Sequence, residues 1–448
     1  MKNKKNSSLS AFALRTSVTI AFLLICAVSL APSLARAFNR LGLPGRSTGQ
    51  GTTRSTRANR VRSMRKPDLL SARQKITSAN GAMAPLVFTV SNTDDSGSGS
   101  LRQAILDANS MGGGTINFAI PGTSVHTISP LTVLPPITQT VTIDGYTQSG
   151  STANTNPPTM GINATLVIEL SGALAPTGSN FSGLTINADN CTVRGLVINS
   201  FQHDAIDVNS NGNVITGNFI GTNTGGTMAL PNGSQGTGAV IVGGLSSNNT
   251  IGGVTPAARN LISGNIGEGV FIQLGAGNTV QGNLIGTNKT GTLALGNTDR
   301  GVLTTGVNTL IGGTTVDARN VISANNRGVD LNGGSSSTVQ GNFIGTDVTG
   351  TIALSNPNVG VNLNSGLSNN LIGGLAATPG TPPGNLISGN AGNYGVILGG
   401  GASNFIQGNI IGADITGTQS LGNLGGILIS SGQGNTVGGT GKIGRAHV

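Results

Sequence analysis

The stretch His203-Asp204-Ala205-Ile206-Asp207 brings one imidazole and two carboxylates within five residues. An imidazole beside a carboxylate can move protons near neutral pH. Two carboxyl groups facing each other across a sugar linkage, roughly 5–9.5 Å apart, can hydrolyse it. Arg194, in the neighbouring strand region, offers a cation to the same chemistry. The plainer reading puts Asp204 at a turn, where an Asp commonly bonds its own backbone, and the sequence favours that reading over catalysis.

A second set of polar side chains recurs in one loop. It reads Gly221-Thr-Asn-Thr-Gly-Gly-Thr, Gly286-Thr-Asn-Lys-Thr-Gly-Thr, Gly345-Thr-Asp-Val-Thr-Gly-Thr and Gly412-Ala-Asp-Ile-Thr-Gly-Thr. Asn223, Asn288, Asp347 and Asp414 are equivalent, so they form a line on one side of the molecule. Such a line could bind a glycan or cations. A shared turn built on Asx-type bonds is the favoured alternative. Asp94-Asp95, in a Ser/Gly loop, could touch Ca²⁺, yet no EF-hand or Ca²⁺-binding nonapeptide occurs. No cofactor is expected, with Ca²⁺ the one candidate. P-loop, nucleophile-elbow, HExxH and Cys/His metal motifs are absent from the sequence.

The elements that must position these residues are repeats. A [Gly/Ala]-[Val/Ile]-x-[Ile/Val/Leu] strand recurs with its first apolar residue at Ile206, Ala239, Val270, Val302, Val329, Val361, Val396 and Ile427. Two further short strands lie in each unit, in two alternating forms: Asn278-Thr-Val-Gln-Gly-Asn-Leu-Ile-Gly-Thr287, and Asn308-Thr-Leu-Ile-Gly-Gly313 followed by Asn320-Val-Ile-Ser-Ala-Asn325. Three short strands per unit, parted by Gly and Asn corners, describe one coil of a parallel β-helix. Val141–Ile143 and Leu166–Ile168 are expected in its first coils. Each coil climbs about 4.8 Å, and the inward Val, Ile and Leu side chains stack into apolar columns.

This geometry bears on the candidates. Asp207 takes the outward x position of its strand, and Asp330 is its equivalent four coils later, roughly 19 Å away at about 4.8 Å per coil. The same outward column is expected to hold Val240, Phe271, Leu303, Asn362, Ile397 and Leu428. If exposed, its apolar members, Phe271 and Leu303 among them, would mark a partner surface. Successive Asx loops sit two coils apart, roughly 10 Å, too far to share one Ca²⁺ whose ligands lie within about 2.6 Å.

Composition agrees with a repeat domain. Of 448 residues 73 are Gly, only 9% are charged and 36% are hydrophobic. Residues 1–85 carry 15 Lys and Arg against one acid, whereas the remainder carries 9 basic and 14 acidic residues. The body is therefore mildly acidic, which argues against nucleic-acid binding. Lys2, Lys4, Lys5 and Arg15 precede the apolar run Val18–Ala31, and Ala35-Arg36-Ala37 is a cleavage site. Residues 1–37 thus read as a signal peptide, too short in its apolar run to span a membrane. Residues 38–85 read as a flexible basic linker, 86–135 as an N-terminal cap segment with a helix over Leu101–Asn109 capped by Ser100, and 136–442 as the repeats. Ile443–Val448 reads as a non-native tail, because it matches the translation of a sequencing-library adapter and breaks a repeat. Cys191 is the one Cys left after cleavage, and is expected in the core.

The Asn-x-Ile-x-Gly-Asn coils resemble the parallel β-helix repeats of the pectin-lyase-like fold. Thr93–Asn109 is similar to the CSLREA segment that opens many exported bacterial β-helix proteins, although Ser100-Leu-Arg-Gln-Ala104 departs from it at the Cys and the Glu. The resemblance implies a right-handed, all-β helix; the fold hosts lyases, hydrolases, adhesins and spikes alike. With acids sparse and unclustered along the coils, the sequence favours a secreted or surface-attached structural or adhesion-type protein without turnover. Its expected partners are extracellular polysaccharide or cell-envelope components. A polysaccharide lyase or glycoside hydrolase, acting on a uronic-acid-type or other extracellular glycan, is the alternative.

Overall fold

The computed structural model describes residues 86–176, 181–233 and 237–439. The expected signal peptide, basic linker and non-native tail lie outside the described residues. Short strands stack into three all-parallel sheets of 12, 10 and 9 strands. Sheet 1 runs from Val87–Val90 to Thr436–Val437, sheet 2 from His126–Ile128 to Ile410–Ile411, and sheet 3 from Leu184–Ile186 to Gly425–Ile429. A full coil visits the three in turn, as in Val214–Thr216, Phe219–Ile220 and Gly238–Val242. This is the right-handed parallel β-helix expected from the repeats. The parallel stack already begins inside the cap segment, where Val87–Val90 pairs with Gly114–Phe118. Helix Leu101–Met111 buries Leu101, Ala104, Ile105 and Ala108 in the core, and the Ser100 hydroxyl accepts the Gln103 N–H at 3.2 Å as its cap. Cys191 is fully buried.

A column of buried Asn side chains holds each corner. Between sheets 1 and 2 it runs Asn218, Asn260, Asn283, Asn320, Asn342, Asn385, Asn409. Asn320 Oδ1 accepts both the backbone N–H and the side-chain N–H of Asn283 at 3.0 Å, and Asn320 Nδ2 donates to the Val280 carbonyl at 2.8 Å. A second column, from Asn232 through Asn325 to Asn423, lies between sheets 2 and 3. The third, between sheets 3 and 1, is interrupted by Thr309 and Ser337. Side-chain amides thereby satisfy the backbone groups that tight corners withdraw from the ladders. Glycine is required beside them: Gly282 has φ +73°, and a Cβ there would meet the Gly253 carbonyl at 2.1 Å.

From the strand Leu196–Asn199 onward, sheet 2 is apolar on both faces. Its outward Val197, Phe219, Leu261, Leu284, Val321 and Phe343 form a second hydrophobic cluster outside the main core. The recurrent Asx loops cover it, and they hydrogen-bond one another across the two-coil gap: Lys289 N–H to Gly226 O at 2.8 Å, Val348 N–H to Gly291 O at 2.9 Å, Ile415 N–H to Gly350 O at 3.0 Å. The outer face of sheet 3 differs in carrying charged side chains, Asp207 and Asp330 among them.

Replacing Asn320 by Ala strands the buried backbone N–H of Asn283 and the Val280 carbonyl, whereas Asn283 Nδ2 keeps the Ile251 and Gln281 carbonyls. The expected loss is about 3 kcal/mol in urea denaturation followed by circular dichroism. A change within about 0.5 kcal/mol, the range of an ordinary surface substitution, would contradict a structural role for the columns.

Candidate functional site

The strand Ile206–Val208 of sheet 3 pairs with Leu184–Ile186 before it and Gly238–Val242 after it. That places Thr185, Asp207 and Ile241 in one outward column. The column continues through Phe271, Leu303, Asp330, Asn362, Ile397 and Leu428. Val240 does not belong to it. Ala239 fills the small-residue position of the motif and Val240 the apolar position that pairs with Ile206 and Val270, so Val240 points inward, fully buried, and Ile241 takes the outward place. Nor is the column an open apolar strip. Ile241 and Leu303 are buried, Phe271 and Ile397 half-buried, and Asp330 and Asn362 interrupt the run.

His203 and Asp204 lie just before that strand. His203 Nδ1 is 2.6 Å from Asp204 Oδ2 and 3.2 Å from the Ser182 hydroxyl. Asp204 is 2% exposed, and its Oδ1 has no hydrogen-bond partner. Burial, joined by the negative charge of Asp207, pushes the Asp204 carboxyl up to about 7, against the opposing pull of His203. Asp207 is half-buried at the surface and accepts a hydrogen bond from Asn209 Nδ2 at 2.9 Å. With Nδ1 turned to Asp204, the other ring nitrogen of the partly exposed His203 is left for a ligand. The set is a close carboxyl–imidazole pair with the charge of a second carboxylate acting on it.

Arg194 is not part of it. It sits in sheet 1, in the strand Thr192–Arg194, and its guanidinium pairs with Asp144 at 2.6 Å. The recurrent-loop residues are likewise on the sheet 2 side and are engaged within their own turns. Asn223 Oδ1 accepts the N–H groups of Thr227 and Met228, and Asn288 Oδ1 those of Thr292 and Leu293. Asp347 serves Thr351 and Ile352, and Asp414 serves Thr418 and Gln419, with Thr hydroxyls adding to both. Burial alone would raise the Asp414 carboxyl, but these donors outweigh it and hold it below its ordinary value. Among the described residues no group of three or more His, Cys, Asp or Glu is arranged to hold a metal ion, and no helix is long and apolar enough to cross a membrane.

One set of charged residues does not follow from the outward x column. Glu268, Arg300 and Arg327 open successive strands of sheet 3, each immediately before the Gly of the Gly-Val pair. They converge with Asp299 and Asp330 on the same outer face as Asp207.

No protein-family model and no curated protein matches the chain. Among solved structures it is similar to the Azotobacter vinelandii mannuronan C-5 epimerase AlgE6 A-module, at 14% identity and TM-score 0.38, covering 80% of this chain and 100% of that one. It is also similar to the Dettilon tailspike protein gp208, at 13% identity and TM-score 0.32 over 77% of this chain and 68% of that one. A third is a PL6 alginate lyase in complex with a trisaccharide, at 12% identity and TM-score 0.31 over 82% and 87%. What the outer face of sheet 3 can do is read from this chain's own residues.

The raised Asp204 carboxyl has a consequence for stability. A folded-state value near 7, above the ordinary 3.8, means that the native fold prefers Asp204 protonated. Its contribution is full below about pH 4 and is lost as pH rises through about 7. Asp204→Asn removes that loss. Between about pH 5 and about pH 8 its thermal midpoint should therefore gain on the wild type. Identical pH profiles for the two proteins would contradict the assignment.

Proposed function

We propose that the protein binds a linear extracellular polysaccharide along the outer face of sheet 3, and that His203, Asp204 and Asp207 supply acid–base chemistry to it. The observation that carries the reading is the Asp204 carboxyl: buried, 2.6 Å from an imidazole nitrogen, with its other oxygen unpartnered and a second carboxylate next to it. Such a pair gives up and takes back a proton near neutral pH, as sugar-bond cleavage demands. The face suits a linear, hydroxyl-rich ligand because small polar side chains flank it at successive coils. Asn209 lies beside Asn187, and Asn364 Nδ2 donates to Asn332 Oδ1 at 2.8 Å. Secretion, as the leader suggests, agrees with such a ligand. A second reading, a structural or adhesion-type rod, is favoured by the Asn columns that tie coil to coil.

The test is turnover and binding on a panel of plant, algal and bacterial polysaccharides. Products from the wild type that fall at least about a hundredfold in both Asp204→Asn and His203→Gln support the acid–base assignment. Binding without products from any substrate favours the rod. Neither binding nor products removes the polysaccharide reading.

A further inference from the structure

The Glu268–Arg300–Arg327 group lies along the same face as the acid–base cluster but away from it. Register runs Asp207, Ile241, Phe271, Leu303, Asp330, so Phe271 is two coils and Asp330 four coils from Asp207. At about 4.8 Å per coil those separations are roughly 10 and 19 Å, within reach of one extended chain of several sugar units.

The members of the group are differently satisfied. Asp330, fully buried, is saturated: Arg300 Nε at 2.8 Å and Arg327 Nη1 at 2.9 Å meet one oxygen, and the amides of Asn362 and Asn364, both at 2.9 Å, meet the other. Glu268 is not. Arg300 Nη1 donates to its Oε1 at 3.0 Å, but Oε2 has no partner although the residue is 4% exposed. Asp299, the most exposed member, contacts the same Arg300 Nη1. A ligand hydroxyl that displaces Asp299 therefore meets Arg300 as a donor and Glu268 as an acceptor. Arg327 makes one ion pair, through Nη1, and its side chain keeps 30% of its surface. The half-buried Phe271 ring, on the Glu268 strand, supplies an apolar face.

Charge decides what kind of ligand fits. Three carboxylates surround two guanidiniums, so no surplus positive charge is left for an anion. Acceptor, donors and an apolar ring together suit an uncharged, hydroxyl-rich unit. We infer that Glu268, Asp299, Arg300, Arg327 and Phe271 form a subsite for a neutral sugar residue of the bound chain. The inference rests on the polysaccharide reading of this face and adds to it the charge class of the sugar.

Isothermal titration of the full chain with neutral hexasaccharides (gluco-, manno- and galacto-configured) and with polyuronate hexamers tests it. At least one neutral series should bind, and Glu268→Gln and Phe271→Ala should each weaken it about tenfold or more, with their thermal midpoints recorded as the check on folding. Asp317→Asn, in the turn Val316–Ala318 between sheets 1 and 2, should leave that affinity within about twofold. Neutral binding unchanged in both Glu268→Gln and Phe271→Ala, or binding confined to polyuronates, overturns the subsite and leaves the polysaccharide reading standing. Failure of every saccharide, neutral and acidic, overturns both.

Discussion

Everything in this structure depends on hydrogen bonds between asparagines of successive coils. A coil built from strands as short as Leu284–Ile285 leaves more backbone in corners than in sheets. Without partners those corner amides would be buried and unsatisfied at a cost of about 1–3 kcal/mol each. Asn solves the problem because its side chain carries both a donor and an acceptor. In Asn283 and Asn320 one oxygen takes two N–H groups from the coil before, while the amide nitrogen reaches a carbonyl of an earlier strand. The motif propagates itself, so the coils stay in register over the length of the stack. That register is what turns a list of residues in sequence into columns on a face.

The columns divide the labour among the three sheets. Sheet 2 buries both of its faces, the outer one beneath loops that bond to each other. Its strands accordingly read Leu-Ile, Phe-Ile or Val-Ile, without alternation. On sheet 1, Gln281 and Gln340 spend their outward amides on the Gly312 and Gly373 carbonyls, both at 2.8 Å. The outer face of sheet 3 is left to carry charge, and Asp204, Asp207, Glu268, Asp299 and Asp330 gather along it.

How much of this was legible follows from periodicity. The coil count, the three strands per coil and the alternation of two unit types are fixed by repeating Gly, Asn and aliphatic positions. The helix and its Ser100 cap follow from local rules. The misplacement of Val240 came from taking Ala239 as the first apolar residue of the motif, when Ala239 fills its small-residue position and Val240 the apolar one; sequence alone does not weigh Gly238-Ala239 against the register of its neighbours. Arg194 stands only nine residues before His203 in the chain but on a different sheet, a separation visible only once corners are placed. The Glu268, Arg300 and Arg327 set was readable in principle. Glu-Gly-Val, Arg-Gly-Val and Arg-Gly-Val stand at the head of consecutive strands, three positions ahead of the outward column. What no pattern could supply is their satisfaction, since that depends on the side-chain geometry of four coils at once.

Satisfaction is also what separates the buried carboxylates of the face from one another. Asp204 and Asp330 both lie beside strands of sheet 3 and both are almost inaccessible. Asp330 is met by two guanidiniums and two amides, so each of its oxygens has donors and the group ties three coils together. Asp204 has one close partner, an imidazole that can itself exchange a proton, and one bare oxygen. A carboxylate with fixed donors around it is held in one state, and its energy goes into structure. A carboxyl with a single titratable partner and one bare oxygen is not held in that way, and under the proposed function its proton is the one that moves. Two residues of the same type, both buried, thus differ in how firmly they are held because of how many donors the neighbouring coils provide.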